Sequence, residues 1–157
     1  MKIKVCGMKY PDNIREVAKL QPDYLGFIFY EKSKRFVLNP QSMSEPAIFR
    51  EAFNIQHSSF NIKKVGVFVD EPIKNVIRLA TEYEMDMIQL HGMETPEYCE
   101  NLKLLDFKII KAFGIDDTFD FWSLAEYKDH CDYFLFDTKS NEYGGTGKKF
   151  EIGRAHV

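Results

Sequence analysis

Six short stretches of the chain are apolar almost throughout: Lys2–Cys6, Tyr24–Tyr30, Lys64–Val69, Met85–Leu90, Phe107–Phe113 and Tyr133–Phe136. Tyr24–Tyr30 is apolar throughout, which fits a strand buried on both faces, as in a parallel sheet. Between them the apolar positions fall at helical spacing. Pro11 precedes Ile14, Val17 and Ala18, and Pro72 precedes Ile73, Val76, Ile77 and Ala80. Thr95-Pro96 reads as a cap and first turn, leading into Cys99, Leu102 and Leu105. A last helix is predicted around Thr118–Tyr127, with Trp122, Leu124 and Ala125 as its apolar side. Asn39-Pro40 offers another helix start, but Pro46 interrupts the pattern, and Phe53–Lys64 reads as irregular.

Strand and helix therefore alternate, with strands opening near residues 2, 24, 64, 86, 107 and 133. This is the rhythm of βαβ units, and it predicts an α/β fold with a parallel sheet. Two closures satisfy it: an open doubly wound sheet or a (β/α)8 barrel. The strands end on Cys6, Tyr30, Asp70, His91, Gly114 and Asp137. Polar and small residues at carboxyl strand ends form the catalytic rim of a barrel, although six units fall short of eight.

One stretch concentrates the chemistry. Tyr133–Phe150 (YFLFDTKSNEYGGTGKKF) opens as a strand and places Asp137 where the strand is expected to stop. A glycine-rich loop with Gly144, Gly145 and Gly147 follows, then Lys148 and Lys149. The loop lacks the G-x-x-x-x-G-K-[ST] spacing of a P-loop.

Composition narrows the function classes. The 157 residues are 45% hydrophobic and 29% charged, with a formal net charge of -3. That fits one ordinary globular domain and gives no electrostatic footprint for nucleic acid. No apolar run approaches the roughly 18 residues that a membrane helix requires. Three cysteines without a CxxC pair, and an N-terminus that opens directly on a strand, point to the reducing cytoplasm.

The segments KVCG (Lys4–Gly7), YLGFIFYEKSKRFV (Tyr24–Val37), KVGVFVDE (Lys64–Glu71), QLHG (Gln89–Gly92) and FDTKSNEYGGTGKKF (Phe136–Phe150) together resemble phosphoribosylanthranilate isomerase of tryptophan biosynthesis. The resemblance is collinear from Lys2 to Phe150. It implies a TIM barrel, no metal or organic cofactor, and a phosphorylated small-molecule substrate. The implied reaction is the Amadori rearrangement of N-(5-phosphoribosyl)anthranilate to 1-(2-carboxyphenylamino)-1-deoxyribulose 5-phosphate.

By this resemblance Cys6 is the general base that takes a proton from C2 of the ring-opened imine, a task for a thiolate. Against it stands the common fate of cysteine as a buried structural residue, which Cys99 and Cys131 keep. Asp137 is implied as the general acid that protonates the furanose ring oxygen, and so must carry a proton when substrate binds. Arg35 is implied as the ligand of the anthranilate carboxylate, which a guanidinium fork fits in a bidentate way. Lys32 and Lys34 are read as solvated. His91 and Gln89 are expected to line the pocket. Gly144 and Gly145 belong to the loop implied to close over substrate, while the phosphate is implied to sit on loops after strands seven and eight. Cys6, His91 and Asp137 as a metal site is disfavoured, because no second nearby histidine and no ligand pair at helical spacing accompany them.

The family pattern continues past Phe150 with two further βα units, whereas this chain ends in EIGRAHV. That heptapeptide can be encoded by GAG ATC GGA AGA GCA CAC GTC followed by TGA, a string holding the start of a common sequencing-library adapter. The expected organisation is thus a partial TIM barrel over 1–150 and a non-native tail over 151–157. Open sheet edges then predict poor stability and little turnover for the 157-residue chain alone. Two rivals remain: another sugar-phosphate barrel, which would want paired carboxylates or metal ligands, and an inactive fragment or non-catalytic α/β module. Oligomeric state is not legible.

Overall fold

Strands that bury both faces need cover on both, and here the helices cover the outer face while inner side chains pack on one another. The computed structural model describes residues 1–38 and 61–138. In order it contains β1 (Lys4–Cys6), α1 (Pro11–Lys19), β2 (Tyr24–Ile28), β3 (Lys63–Phe68) and α2 (Ile73–Glu82). There follow β4 (Met87–Leu90), α3 (Pro96–Lys103), β5 (Lys108–Ile115), a 3-10 helix (Phe121–Tyr127) and β6 (Tyr133–Thr138). Among the described residues the strands form one sheet in the order β1-β2-β3-β4-β5-β6, every neighbouring pair parallel. A doubly wound sheet reverses its strand order at a switch point. None occurs here, so the sheet is a barrel wall, incomplete at six strands.

The register gives the wall two distinct faces. Side chains alternate along each strand, and the outward set packs under the helices in one continuous core. Leu25, Phe27, Phe68, Ile88, Leu90 and Ile109 from the sheet meet Ile14, Val76, Leu79 and Leu102 from the helices. Full burial of residues such as Ile88 or Leu90 stabilises by about 1.5–3 kcal/mol each. The inward set holds a smaller apolar plug of Val65, Met87 and Ile110, flanked by Tyr24 and Leu135.

Local chemistry explains the turns. Pro11 and Pro96 open α1 and α3, where a missing N–H costs nothing. The Thr95 hydroxyl accepts a hydrogen bond from the Tyr98 N–H at 3.2 Å and caps α3. Just past the three helices the chain turns through Gln21, Glu84 and Asp106 at φ of 53°, 50° and 64°. Each of these left-handed residues ends a helix and re-aims the chain into the following strand.

Several sequence expectations shift. β3 begins at Lys63, inside the stretch read as irregular. Trp122 is 88% exposed and Leu105 53% exposed, so neither belongs to an apolar helix face. The segment around Trp122 folds only as a 3-10 helix with no buried residue, and it packs Tyr127 against the outer core instead. Tyr133–Phe136 is half-exposed rather than buried, because β6 pairs with β5 on one side and with no other strand among the described residues. The helix start at Asn39-Pro40 and the tail 151–157 lie outside the described residues.

Candidate active site

The inward residues at the carboxyl ends of the strands line a cleft of about 300 Å³. They come in pairs two residues apart: Lys4 and Cys6 from β1, Ile28 and Tyr30 from β2 and its extension. Val67 and Val69, Gln89 and His91, and Leu135 and Asp137 continue the series, and Ser33 and Arg35 close one side. Period-two alternation explains the pairing, since neighbours in sequence point to opposite faces of the wall. β6 runs on through Thr138, pairing Asp137 with Gly114 and Thr138 with Ile115. Asp137 therefore stands within the last turn of the strand rather than after it, held by a wall that fixes its direction.

Cys6 and Arg35 are brought together by Gly7. This glycine has a φ of 86°, and a Cβ there would lie 2.6 Å from both Cδ and Nη1 of Arg35. The guanidinium lies across the glycine's open side, and Nη1 donates to the Cys6 carbonyl at 3.3 Å. The Arg35 side chain thus reaches back from the loop after β2 to the end of β1. Lys32 and Lys34 are exposed, as their reading as solvated cations requires.

His91 Nε2 lies 3.7 Å from Asp137 Oδ2. The imidazole is 16% exposed and the carboxylate 30%. Burial lowers the His91 pKa from its ordinary value, outweighing the opposing pull of Asp137, while Lys111 adds to the lowering. The ring is therefore neutral at neutral pH and stands beside the carboxyl group as a polar neighbour rather than a cation. Gln89 is 3% exposed, and its Oε1 accepts a hydrogen bond from Lys4 Nζ, so its amide serves the cleft floor.

Cys6, Arg35, Gln89, His91 and Asp137 thus share one cleft, whereas Gly144 and Gly145 lie outside the described residues. Asp70, expected on the rim, turns away. Its Oδ1 accepts from the Met93 N–H at 2.6 Å and braces the loop after β4. Among the described residues no group of three or more His, Cys, Asp or Glu side chains is arranged to hold a metal ion. Cys99 and Cys131 are buried on the outer side, in the core beneath the helices.

Two features escaped the reading of the sequence. Lys4 is a cleft residue, and the signal was present: it stands two positions before Cys6 on a strand. The second is a buried ion pair, Lys111 Nζ to Glu94 Oε2 at 3.0 Å, with both side chains 2% exposed. Glu94 also accepts from the Asp70 and Gly92 N–H groups, and Lys111 donates to the Gly92 carbonyl. Together they lock the loop that carries His91. Nothing in the sequence announces that pairing, because the partners belong to different elements.

A parallel strand-and-helix wall with a polar cleft at its carboxyl rim defines a protein of the (β/α) barrel class. The chain belongs to the N-(5'-phosphoribosyl)anthranilate isomerase family, whose model matches residues 3–155. It is similar to the N-(5'-phosphoribosyl)anthranilate isomerase of Parabacteroides distasonis, 45% identical over 151 residues, covering 96% of this chain and 65% of that protein. In structure it is similar to phosphoribosyl anthranilate isomerase from Thermotoga maritima, with a TM-score of 0.77 at 30% identity, covering 96% of this chain and 68% of the other. A further isomerase structure, at TM-score 0.64 and 26% identity, covers 88% of this chain and 75% of that one. It was solved in complex with reduced 1-(o-carboxyphenylamino)-1-deoxyribulose 5-phosphate. The chain thus spans about two thirds of the length of these relatives.

Proposed function

We propose that this chain carries the acid–base half of a phosphoribosylanthranilate isomerase site. The observation that carries it is the convergence of Cys6, Arg35, His91 and Asp137 on one cleft at the carboxyl rim. Asp137 protonates the furanose oxygen of N-(5'-phosphoribosyl)anthranilate, and the C1–O bond breaks to leave a cationic imine. Cys6 takes the C2 proton, and the C–H electron pair moves through C1 to the nitrogen. The resulting enol tautomerises to the 1-deoxyribulose product. Arg35 holds the anthranilate carboxylate beside the Cys6 carbonyl. The neutral His91 ring orients Asp137 without setting a cation against it. No described residue is assigned to the phosphate, in keeping with its expected place on loops after two further strands. Three free thiols support a reducing compartment such as the cytoplasm. Among the described residues no helix is long and apolar enough to cross a membrane.

The test is growth of a tryptophan auxotroph that lacks this isomerase. It is transformed with the 157-residue chain, and separately with residues 1–150 continued by the last two βα units of the Parabacteroides distasonis relative. Growth of the second strain, lost on Cys6→Ser, is the expected result. A folded, completed chain that gives no growth and no turnover in vitro sinks the assignment.

A further inference from the structure

Lys4 is a part-buried cation that the acid–base scheme leaves unused. It follows from β1 geometry that Lys4 and Cys6 project from the same face. Their closeness is measured at Gly26, the register partner of Cys6. A Cβ added to Gly26 would lie 2.7 Å from Cys6 Sγ and 3.1 Å from Lys4 Cε. The absent side chain of this glycine is the space in which the two groups lie side by side.

The surroundings of the ammonium point to a function for the pairing. Lys4 Nζ donates to Gln89 Oε1, an amide that satisfies one N–H but supplies no negative charge. Among the described residues no carboxylate lies within ion-pair distance of Lys4. Two lysines that are fully buried differ: Lys64 meets Glu84 at 3.7 Å and Lys111 meets Glu94 at 3.0 Å. A cation drawn out of water without a counter-charge is costly. Burial lowers the Lys4 pKa, and the Cys6 sulfur is the charge that opposes this.

We propose that Lys4 is the electrostatic partner of Cys6: held at the cleft floor by Gln89, its ammonium stands beside the sulfur and offsets the negative charge that a base there must carry. In the base step the C2–H bond breaks and an S–H bond forms on Cys6, and Lys4 gives up no proton. Lys4 acts through Cys6 and is a positioning residue. The role rests on Cys6 being the general base, but it is read without turnover.

The experiment is the second-order rate of Cys6 alkylation by iodoacetamide at neutral pH, followed by peptide mass spectrometry on the 157-residue chain. Lys4→Met is expected to slow Cys6 by about tenfold or more and to remove the ultraviolet absorbance of its thiolate, while Lys4→Arg retains most of both. Buried Cys99 and Cys131 report folding, since they stay protected while the core is intact. A Cys6 rate within about twofold of the parent in a folded Lys4→Met chain overturns the proposal. If Lys4→Met unfolds, the parent decides: native Cys6 reacting no faster than the cysteines of the urea-unfolded chain overturns it equally. A thiol sensitive to Lys4 in a completed but inactive enzyme would remove the isomerase assignment and leave this pairing standing.

Discussion

The two faces of the one sheet are built to opposite specifications. Outward, β2 to β5 present Leu25, Phe27, Phe68, Ile88, Leu90 and Ile109 to the helices, and the one ammonium among the β5 positions there, Lys111, is satisfied by Glu94 and by two carbonyls. Inward, the sheet carries a small apolar plug and then, toward the carboxyl rim from β1 to β6, cysteine, glutamine, histidine and aspartate around open space. The part-buried lysine of that face, Lys4, has an amide and a thiol for neighbours. Close packing with closed polar networks makes a wall rigid. Groups left facing a cleft are available to a ligand, at some expense of stability. The contrast separates what folds the chain from what gives it chemistry, and it can be broken by substitutions on either side.

The largest effect should come from the inner face. In the completed enzyme, Cys6→Ser and Asp137→Asn are each expected to lower kcat by about 10²–10⁴-fold, the usual worth of a positioned general base or acid. Neither should lower the thermal midpoint, since neither side chain contributes to the outer core. Steady-state kinetics alongside a melting curve checks both halves of the statement. Loss of activity in step with loss of fold would show that the two faces are not separable here.

Next comes the outer face. Glu94→Ala leaves Lys111 as a buried charge without its partner and strips acceptors from the Asp70 and Gly92 N–H groups. Breaking such a pair costs about 3–5 kcal/mol. This is a large share of the few kcal/mol by which domains are stable. Urea unfolding should show the loss as a lower midpoint with the slope retained. An unchanged midpoint would mean that the Lys111 network is dispensable and that the loop bearing His91 is fixed by its backbone alone.

How far the sequence could be read follows the same division. The apolar runs and the helical spacings of Ile14–Ala18 and Ile73–Ala80 are local signals, and they placed the strands and helices of the wall. The sequential strand order followed from the regular rhythm of units. Cys6, Arg35, His91 and Asp137 were legible as cleft residues because the stretches that hold them, each weak alone, resemble one family in collinear order. Asp70 misled, because a carboxylate at a strand end looks the same whether it faces the cleft or braces a loop, and its φ of 49° turns it outward. Trp122 misled for a related reason: apolar character predicts burial only where a neighbouring element covers it. Lys4 could have been read from its place two positions before Cys6, whereas the Glu94–Lys111 pair joins two elements and no single stretch encodes it.

The smallest effect tests the boundary between the faces, at His91. Burial lowers its pKa in the folded chain, while the unfolded chain titrates near the ordinary value of 6.5. As pH falls through that value, the unfolded chain takes up a proton before the folded chain does. Stability contributed by the neutral ring is therefore fully present above about pH 7 and declines below 6.5, continuing down to the lowered folded value. His91→Gln removes this contribution and keeps a polar side chain of similar reach. The difference in urea midpoint between parent and His91→Gln should be flat on the alkaline side and shrink in favour of the variant as pH drops. A parallel pair of curves would mean that His91 is as readily protonated in the folded chain as in the unfolded one. The imidazole would then belong to the solvent of the cleft rather than to the wall, and Asp137 would face a cation at acid pH instead of a neutral ring.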